Sequence, residues 1–145
     1  MSYCCCSASS IPGVPICTDV AVSNISAPDD PLTTYRLRVI NNGPYPALSV
    51  YLNLTISAPF SPAGLAGFQA FITSQGWLVG GGSGLTSPVV VIIFIGDLGV
   101  GEFRDFAITG IPIPSTVRAE VSSLILDCDP LNNIIIISRT PDLNV

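Results

Sequence analysis

Hydrophobic and polar residues alternate with period two along much of the chain. Tyr35, Leu37 and Val39 alternate with Thr34, Arg36 and Arg38, and Leu48, Val50, Leu52, Leu54 and Ile56 alternate with Ser49, Tyr51, Asn53 and Thr55. Successive side chains of a strand point to opposite faces, so each run predicts a strand with one face buried. Further strands are predicted at about residues 18–25, 68–78, 88–95, 102–109, 116–126 and 133–140, separated by Gly, Pro, Asn and Asp. The run Gly80-Gly81-Gly82-Ser83-Gly84 predicts a mobile loop. Eight short strands, with no helical pattern of useful length, predict an all-β fold: an antiparallel β-sandwich of immunoglobulin-like or jelly-roll type.

Two of these strands break the alternation. Residues 89–95 and 134–137 are apolar at every position, whereas an antiparallel strand with one wet face alternates. Either other parts of the chain cover both faces, or neighbouring subunits do. An uncovered strand of this kind invites aggregation.

Composition favours the second reading. Charged residues make up 10% of the 145 residues and hydrophobic ones 48%, and all five basic residues are arginines. A monomer's surface ordinarily carries charges at about 25–35% of its positions, so much of this surface is expected to meet protein. A net charge of −5 and the lack of a basic cluster argue against nucleic acid, whose binding relies on Lys and Arg displacing counterions. The apolar runs are far short of the roughly 20 residues a spanning helix requires, so no membrane span is expected.

The chain divides into an arm, residues 1–16, and a sandwich domain, residues 17–145. The arm contains Pro12 and Pro15, has no repeating apolar pattern, and reads as an extended connector. At about 3.3 Å per residue it spans roughly 50 Å. It lacks the basic start and apolar run of a secretory signal, so synthesis in the cytosol without cleavage is expected.

Cysteine placement carries the strongest chemical signal. Cys4, Cys5 and Cys6 are consecutive in the arm, and Cys17 and Cys128 are the only others. Adjacent cysteines bond poorly to each other, since a disulfide wants Cα atoms about 4.4 to 6.8 Å apart and a dihedral near ±90°. The odd count of five points to bonds between chains or to a thiol left free.

Other chemistries are weaker. A zinc site wants four Cys or His ligands at short spacings, and the chain has no histidine; no metal and no cofactor are expected. Acylation of the arm cysteines would make a membrane anchor, a lesser reading. Asp127, Asp129, Asn132 and Asn133 offer oxygens of the kind calcium takes, yet Asp-Pro and Asn-Asn are ordinary turn chemistry. The sequons at Asn24 and Asn53 are discounted for want of a secretory signal. Without histidine or lysine, and with Asp105 and Glu102 set in a strand whose charged residues face solvent, catalysis is not expected.

The run Tyr35-Arg36-Leu37-Arg38-Val39-Ile40-Asn41-Asn42-Gly43-Pro44, then Pro62-Ala63-Gly64, then Asp129-Pro130-Leu131-Asn132-Asn133, resembles the conserved repeat domain of prokaryotic surface proteins known as domain of unknown function 11. The resemblance covers about residues 19–140. It implies an immunoglobulin-like sandwich used in extracellular structures, with Asn41, Asn42, Gly43, Pro44, Asp129, Pro130, Asn132 and Asn133 as turn residues, and implies no chemistry. Gly43 is expected to supply a positive φ.

The cysteine layout separately resembles the subunits of bacillar endospore appendages. That family is a jelly roll whose arm cysteines bond to core cysteines of subunits further along the fibre. Carried over by position, two of Cys4, Cys5 and Cys6 are arm thiols, and Cys17 and Cys128 are their acceptors. The implied product is a homopolymer on the spore surface, its partners being copies of itself and an anchoring or tip protein. Bond formation then follows lysis of the mother cell, since structural disulfides are rare in the cytosol. The alternative is a surface adhesin or binding module that does not polymerise, presenting loops at residues 57–67 or 80–87.

Overall fold

The computed structural model describes residues 17–81 and 88–141. The arm, with Cys4, Cys5 and Cys6, lies outside the described residues, as does most of the 80–87 loop.

Two antiparallel sheets face each other. The smaller has the order β1-β2-β6, built from β1 (Val20–Asn24), β2 (Tyr35–Asn41) and β6 (Phe103–Ile108). The larger has the order β4-β5-β3-β7-β8, built from β4 (Leu78–Gly81), β5 (Val89–Leu98), β3 (Ala47–Ser57), β7 (Ser115–Ser122) and β8 (Ile134–Arg139). The expected eight-stranded all-β sandwich is therefore what the chain forms. Leu37 and Val39 of β2 meet Leu52, Leu54 and Ile56 of β3, Val89, Val91 and Ile93 of β5, and Val117, Ala119 and Val121 of β7 in one buried core. A buried hydrogen bond of 2.6 Å joins the Tyr35 hydroxyl to Ser115 Oγ, linking β2 to β7 across the layers.

One predicted strand is wrong. Residues 62–74 of the 68–78 region and its approach form a helix, α1 (Pro62–Ser74), and only Leu78–Gly81 is strand. Ser61 caps the helix by accepting from the Gly64 amide at 3.0 Å, and Pro62 occupies the first turn, where its missing N–H is no loss. Phe68 and Ile72, one turn apart, are its buried residues. Phe68 packs on Phe60 with ring centroids 5.1 Å apart. Phe71 packs on Trp77, which stacks edge-on against Phe106 of β6. The helix and Trp77 thereby close the side of the sandwich between β4 and β6.

The alternation in β3 also fails at its start. The β3–β5 register shifts between Ala47 and Tyr51, and Ser49 adopts a φ of 52°. This bulge turns Leu48 outward and buries Ala47 instead. The Asp97 carboxylate accepts from the Ser49 amide at 2.9 Å and holds the bulge.

Candidate functional site: the cysteine junction and the outer sheet face

The turn residues predicted after β2 do more than turn the chain. Asn41 is fully buried; its side-chain oxygen accepts from Thr18 Oγ1 (2.8 Å) and the Gly43 amide (2.9 Å). Its amide donates to the carbonyls of Tyr45 (2.9 Å) and Leu98 (3.0 Å). Gly43 has a φ of 92°, and an added Cβ would sit 3.0 Å from Val100 Cγ1, so both conformation and space favour glycine. The Gly43–Pro44 bond is cis. Asn42 reaches toward the Asp19 carboxylate.

Asn41 thus fixes Thr18, and with it the root of the arm. Thr18 forms a parallel bridge with Asp127. The Thr18 amide donates to the Leu126 carbonyl (2.8 Å), and the Cys128 amide donates to the Thr18 carbonyl (2.7 Å). These bonds bring Cys17 against Cys128 with Cα atoms 5.5 Å apart, and the two are joined by a disulfide within the chain. Sequence reading placed both as acceptors for arm thiols of other subunits and did not name this pairing. The two residues are 111 positions apart, so only the fold brings them together. Cys17 is fully buried, and Cys128 retains 8% exposure.

The second predicted turn, at residues 129–133, wraps this junction. Asp129 caps a short 3-10 turn, Pro130–Asn132, by accepting from the Leu131 amide. Asn132 donates to the Asp19 carboxylate at 2.9 Å. In the amide orientation that satisfies both its ends, Asn133 donates to the Val20 carbonyl (2.8 Å) and to Asp127 Oδ2 (3.2 Å). Asp127 also accepts from the amides of Val20 and Asp129. Burial pushes the Asp127 carboxyl above the usual carboxylate range and the Asp19 charge adds to this, against the opposing pull of its hydrogen bonds. The oxygens considered for calcium are therefore engaged with backbone and side-chain donors. Among the described residues no group of three His, Cys, Asp or Glu residues is arranged to hold a metal.

The carboxylates Glu102 and Asp105 have separate partners. Glu102 accepts from the Gly99 amide (2.6 Å), while Asp105 takes a two-pronged contact from Arg38 at 2.7 and 2.9 Å. The Arg38 hydrogen bond holds the Asp105 carboxyl below its ordinary range, and the guanidinium also lies 4.0 Å from the Phe103 ring centroid.

The two apolar strands are half-covered. Val89, Val91 and Ile93 face the core, while Val90, Ile92 and Phe94 lie on the outer face of the larger sheet. Phe94 is 71% exposed and stands opposite Tyr51. Leu78 of β4, 67% exposed, stands opposite Ile92, and together with Val79, Gly80 and Val90 they line a shallow apolar groove. At the other edge Ile135 and Ile137 turn inward to the core, but Ile136 is 64% exposed and Ile134 also faces out. Between these apolar flanks runs a polar centre of Asn53, Thr55, Arg118 and Glu120, the last two paired at 3.0 Å. Within the described residues, Val90 and Ile92 are half-buried, while Phe94 of β5 and Ile134 and Ile136 of β8 remain exposed.

Strands β4 and β8 each pair on one side alone within the described sheet. Arg139, at the end of β8, stacks over Tyr35 at 4.1 Å and donates to the carbonyls of Leu32 and Thr34 and to Ser26 Oγ. It fastens β8 to the loops around β1 and β2. Of the loops considered for an adhesin, residues 62–67 belong to α1 rather than to an open loop. No helix among the described residues is long and apolar enough to cross a membrane. Comparison with protein-family models, curated proteins and solved structures returns no match for this chain.

Proposed function

We propose that this chain is the structural subunit of a self-assembling extracellular filament, on a spore surface, whose copies are cross-linked through disulfides from the N-terminal arm. The observation that carries the reading is the outer face of the larger sheet. It exposes Leu78 and Phe94 toward one edge and Ile134 and Ile136 at the other, where β4 and β8 each pair on one side only within the described sheet. Two unlike apolar patches on opposite edges favour head-to-tail contact, which closes into a ring or runs on as a filament. An isolated monomer with such edges would be prone to uncontrolled pairing.

The cysteines support the same reading. A disulfide at the root of the arm, together with three more cysteines in a segment of about 50 Å reach, concentrates sulfur where one copy can reach the next. The resemblance of this layout to endospore appendage subunits, and of the body motifs to a repeat domain of prokaryotic surface proteins, adds the extracellular setting. Electron microscopy of the purified chain, with gels run with and without reductant, tests the reading. Long filaments and a reducible ladder are expected; a soluble monomer indifferent to deletion of residues 1–16 would favour a binding module instead.

A further inference from the structure

We infer that the loop end of the sandwich where β1 and β8 begin is a docking surface for a second, different protein, whose docking face carries leucine-like side chains flanked by lysine or arginine. The inference goes beyond the filament reading and does not rest on it. The registers Val20 opposite Asn41, Ala47 opposite Leu98, Tyr51 opposite Ser122 and Glu120 opposite Ile134 bring residues 42–46, 97–102 and 123–133 to this one end. Backbone hydrogen bonds tie these loops to the strands: the Leu124 amide donates to the Leu48 carbonyl at 2.9 Å, and the Gly101 amide to the Asn41 carbonyl at 2.7 Å.

Two properties coincide at this end. Val100, Leu124, Leu126 and Leu131 are each more than half exposed, and Leu131 is 89% exposed. Apolar side chains gathered on an open surface mark an interaction site. The same loops carry Asp97, Glu102, Asp127 and Asp129, and Asp19 precedes β1 beside them, so five of the chain's ten carboxylates lie here. Their partners are neutral: Asp97 accepts from the Ser49 amide, Glu102 from Gly99, Asp127 from Val20, Asp129 from Leu131, and Asp19 from the Asn132 side chain. The ion pairs among the described residues join Arg36 to Asp30, Arg38 to Asp105 and Arg118 to Glu120, and use none of these five.

The charges decide what can cover the leucines. Leu124, Leu126 and Leu131 share a short segment with Asp127 and Asp129, so an occupant that buries the leucines also takes water from the carboxylates. Desolvating unpaired ions opposes binding, and complementary charge on the occupant offsets it. A second copy has little to bring. It holds five arginines and no lysine or histidine; three are paired with carboxylates, and Arg139 donates to the carbonyls of Leu32 and Thr34. That leaves Arg104, one cation against five carboxylates. The chain's first 16 residues carry no charged side chain at all. The occupant that satisfies both properties is a protein of other sequence with a basic, leucine-bearing face.

The test titrates the full-length chain into a fluorescent amphipathic helical peptide of leucine and lysine and reads anisotropy. Two control peptides carry glutamate for lysine or serine for leucine. The leucine and lysine peptide is expected to bind at least about tenfold more tightly than either control, and to lose about tenfold when Leu124→Ser and Leu131→Ser are combined. Leu78→Ser, on the outer face of the larger sheet, is expected to change binding by less than about twofold. Carbodiimide coupling is expected to join the peptide's lysines to Asp97, Glu102 or Asp129. Equal binding of the lysine and serine peptide, coupling confined to Asp29, Asp30, Asp105 or Glu120, or no binding by any peptide overturns the inference and leaves the filament reading standing. Binding that requires deletion of residues 1–16 overturns it as well, because the chain's own first segment is then the occupant. A rise in the critical concentration for assembly in the double leucine variant makes a second copy the occupant and likewise overturns it.

Discussion

Phe94→Ser offers a direct way to separate assembly from folding. An aromatic side chain buries about 150–250 Å² when fully covered, and Phe94 leaves 71% of its surface open. A neighbour that covers it would remove roughly 100–180 Å² of apolar surface from water, and at about 25 cal/mol per Å² this stabilises the contact by about 2.5–4.5 kcal/mol. Each lost 1.4 kcal/mol is about a factor of ten in an equilibrium constant, so the critical concentration for assembly is expected to rise about a hundredfold or more. Within the chain the residue faces outward, so the urea midpoint is expected to move little, by the equivalent of about 0.5 kcal/mol. Sedimentation of polymer against protein concentration reads the first quantity, and urea unfolding under monomeric conditions reads the second. Assembly at an unchanged critical concentration by a normally folded F94S chain would refute the reasoning that this face is an interface.

Three further outcomes follow from the junction and its surroundings. Replacing Cys17 and Cys128 together by serine releases a loop whose ends lie 111 residues apart; chain entropy puts the stability lost at up to about 5 kcal/mol, read by urea unfolding of the monomer against the oxidised wild type. Asn41→Ala removes a side chain that serves Thr18, Gly43, Tyr45 and Leu98, and leaving buried partners unsatisfied is expected to cost about 3 kcal/mol, with Thr18 and the arm root loosening first by hydrogen exchange. Asp127 holds its proton more tightly folded than unfolded, so its contribution is present below the unfolded carboxylate value of about 3.9 and is lost as pH rises through the raised folded value. Asp127→Asn is therefore expected to gain stability relative to wild type as pH rises from about 4 through the raised folded value, and a flat difference in urea midpoints would contradict this.

Much of the sandwich was legible because β2 and most of β3 alternate cleanly, and because Asn41-Asn42-Gly43-Pro44 is turn chemistry whatever surrounds it. The helix was obscured by its own composition. Gly64, Gly67, Ala63, Ala66 and Ala70 dilute its apolar face, leaving Phe68 and Ile72 to be read as one end of a strand. The signal that could have revealed it was Ser61 followed by Pro62, a cap and a first-turn proline. The bulge at Ser49 was hidden because Leu48 fits the alternation by type, and only the Asp97 contact and the shifted register show it turned outward. The runs at residues 89–95 and 134–137 announced coverage on both faces but not by what; the fold supplies only the inner half. The Cys17–Cys128 pairing was illegible for another reason. It depends on Thr18 meeting Asp127, a contact that exists only once β1, β2 and β7 are in place.

The most direct test of the central claim mixes isotopically light and heavy full-length chains before assembly, then maps disulfide-linked peptides by mass spectrometry. The account predicts light–heavy hybrids that join peptides bearing Cys4, Cys5 or Cys6 to a peptide bearing Cys17 or Cys128. Links confined to light–light and heavy–heavy pairs, with every Cys17 still bonded to the Cys128 of its own chain, would contradict it.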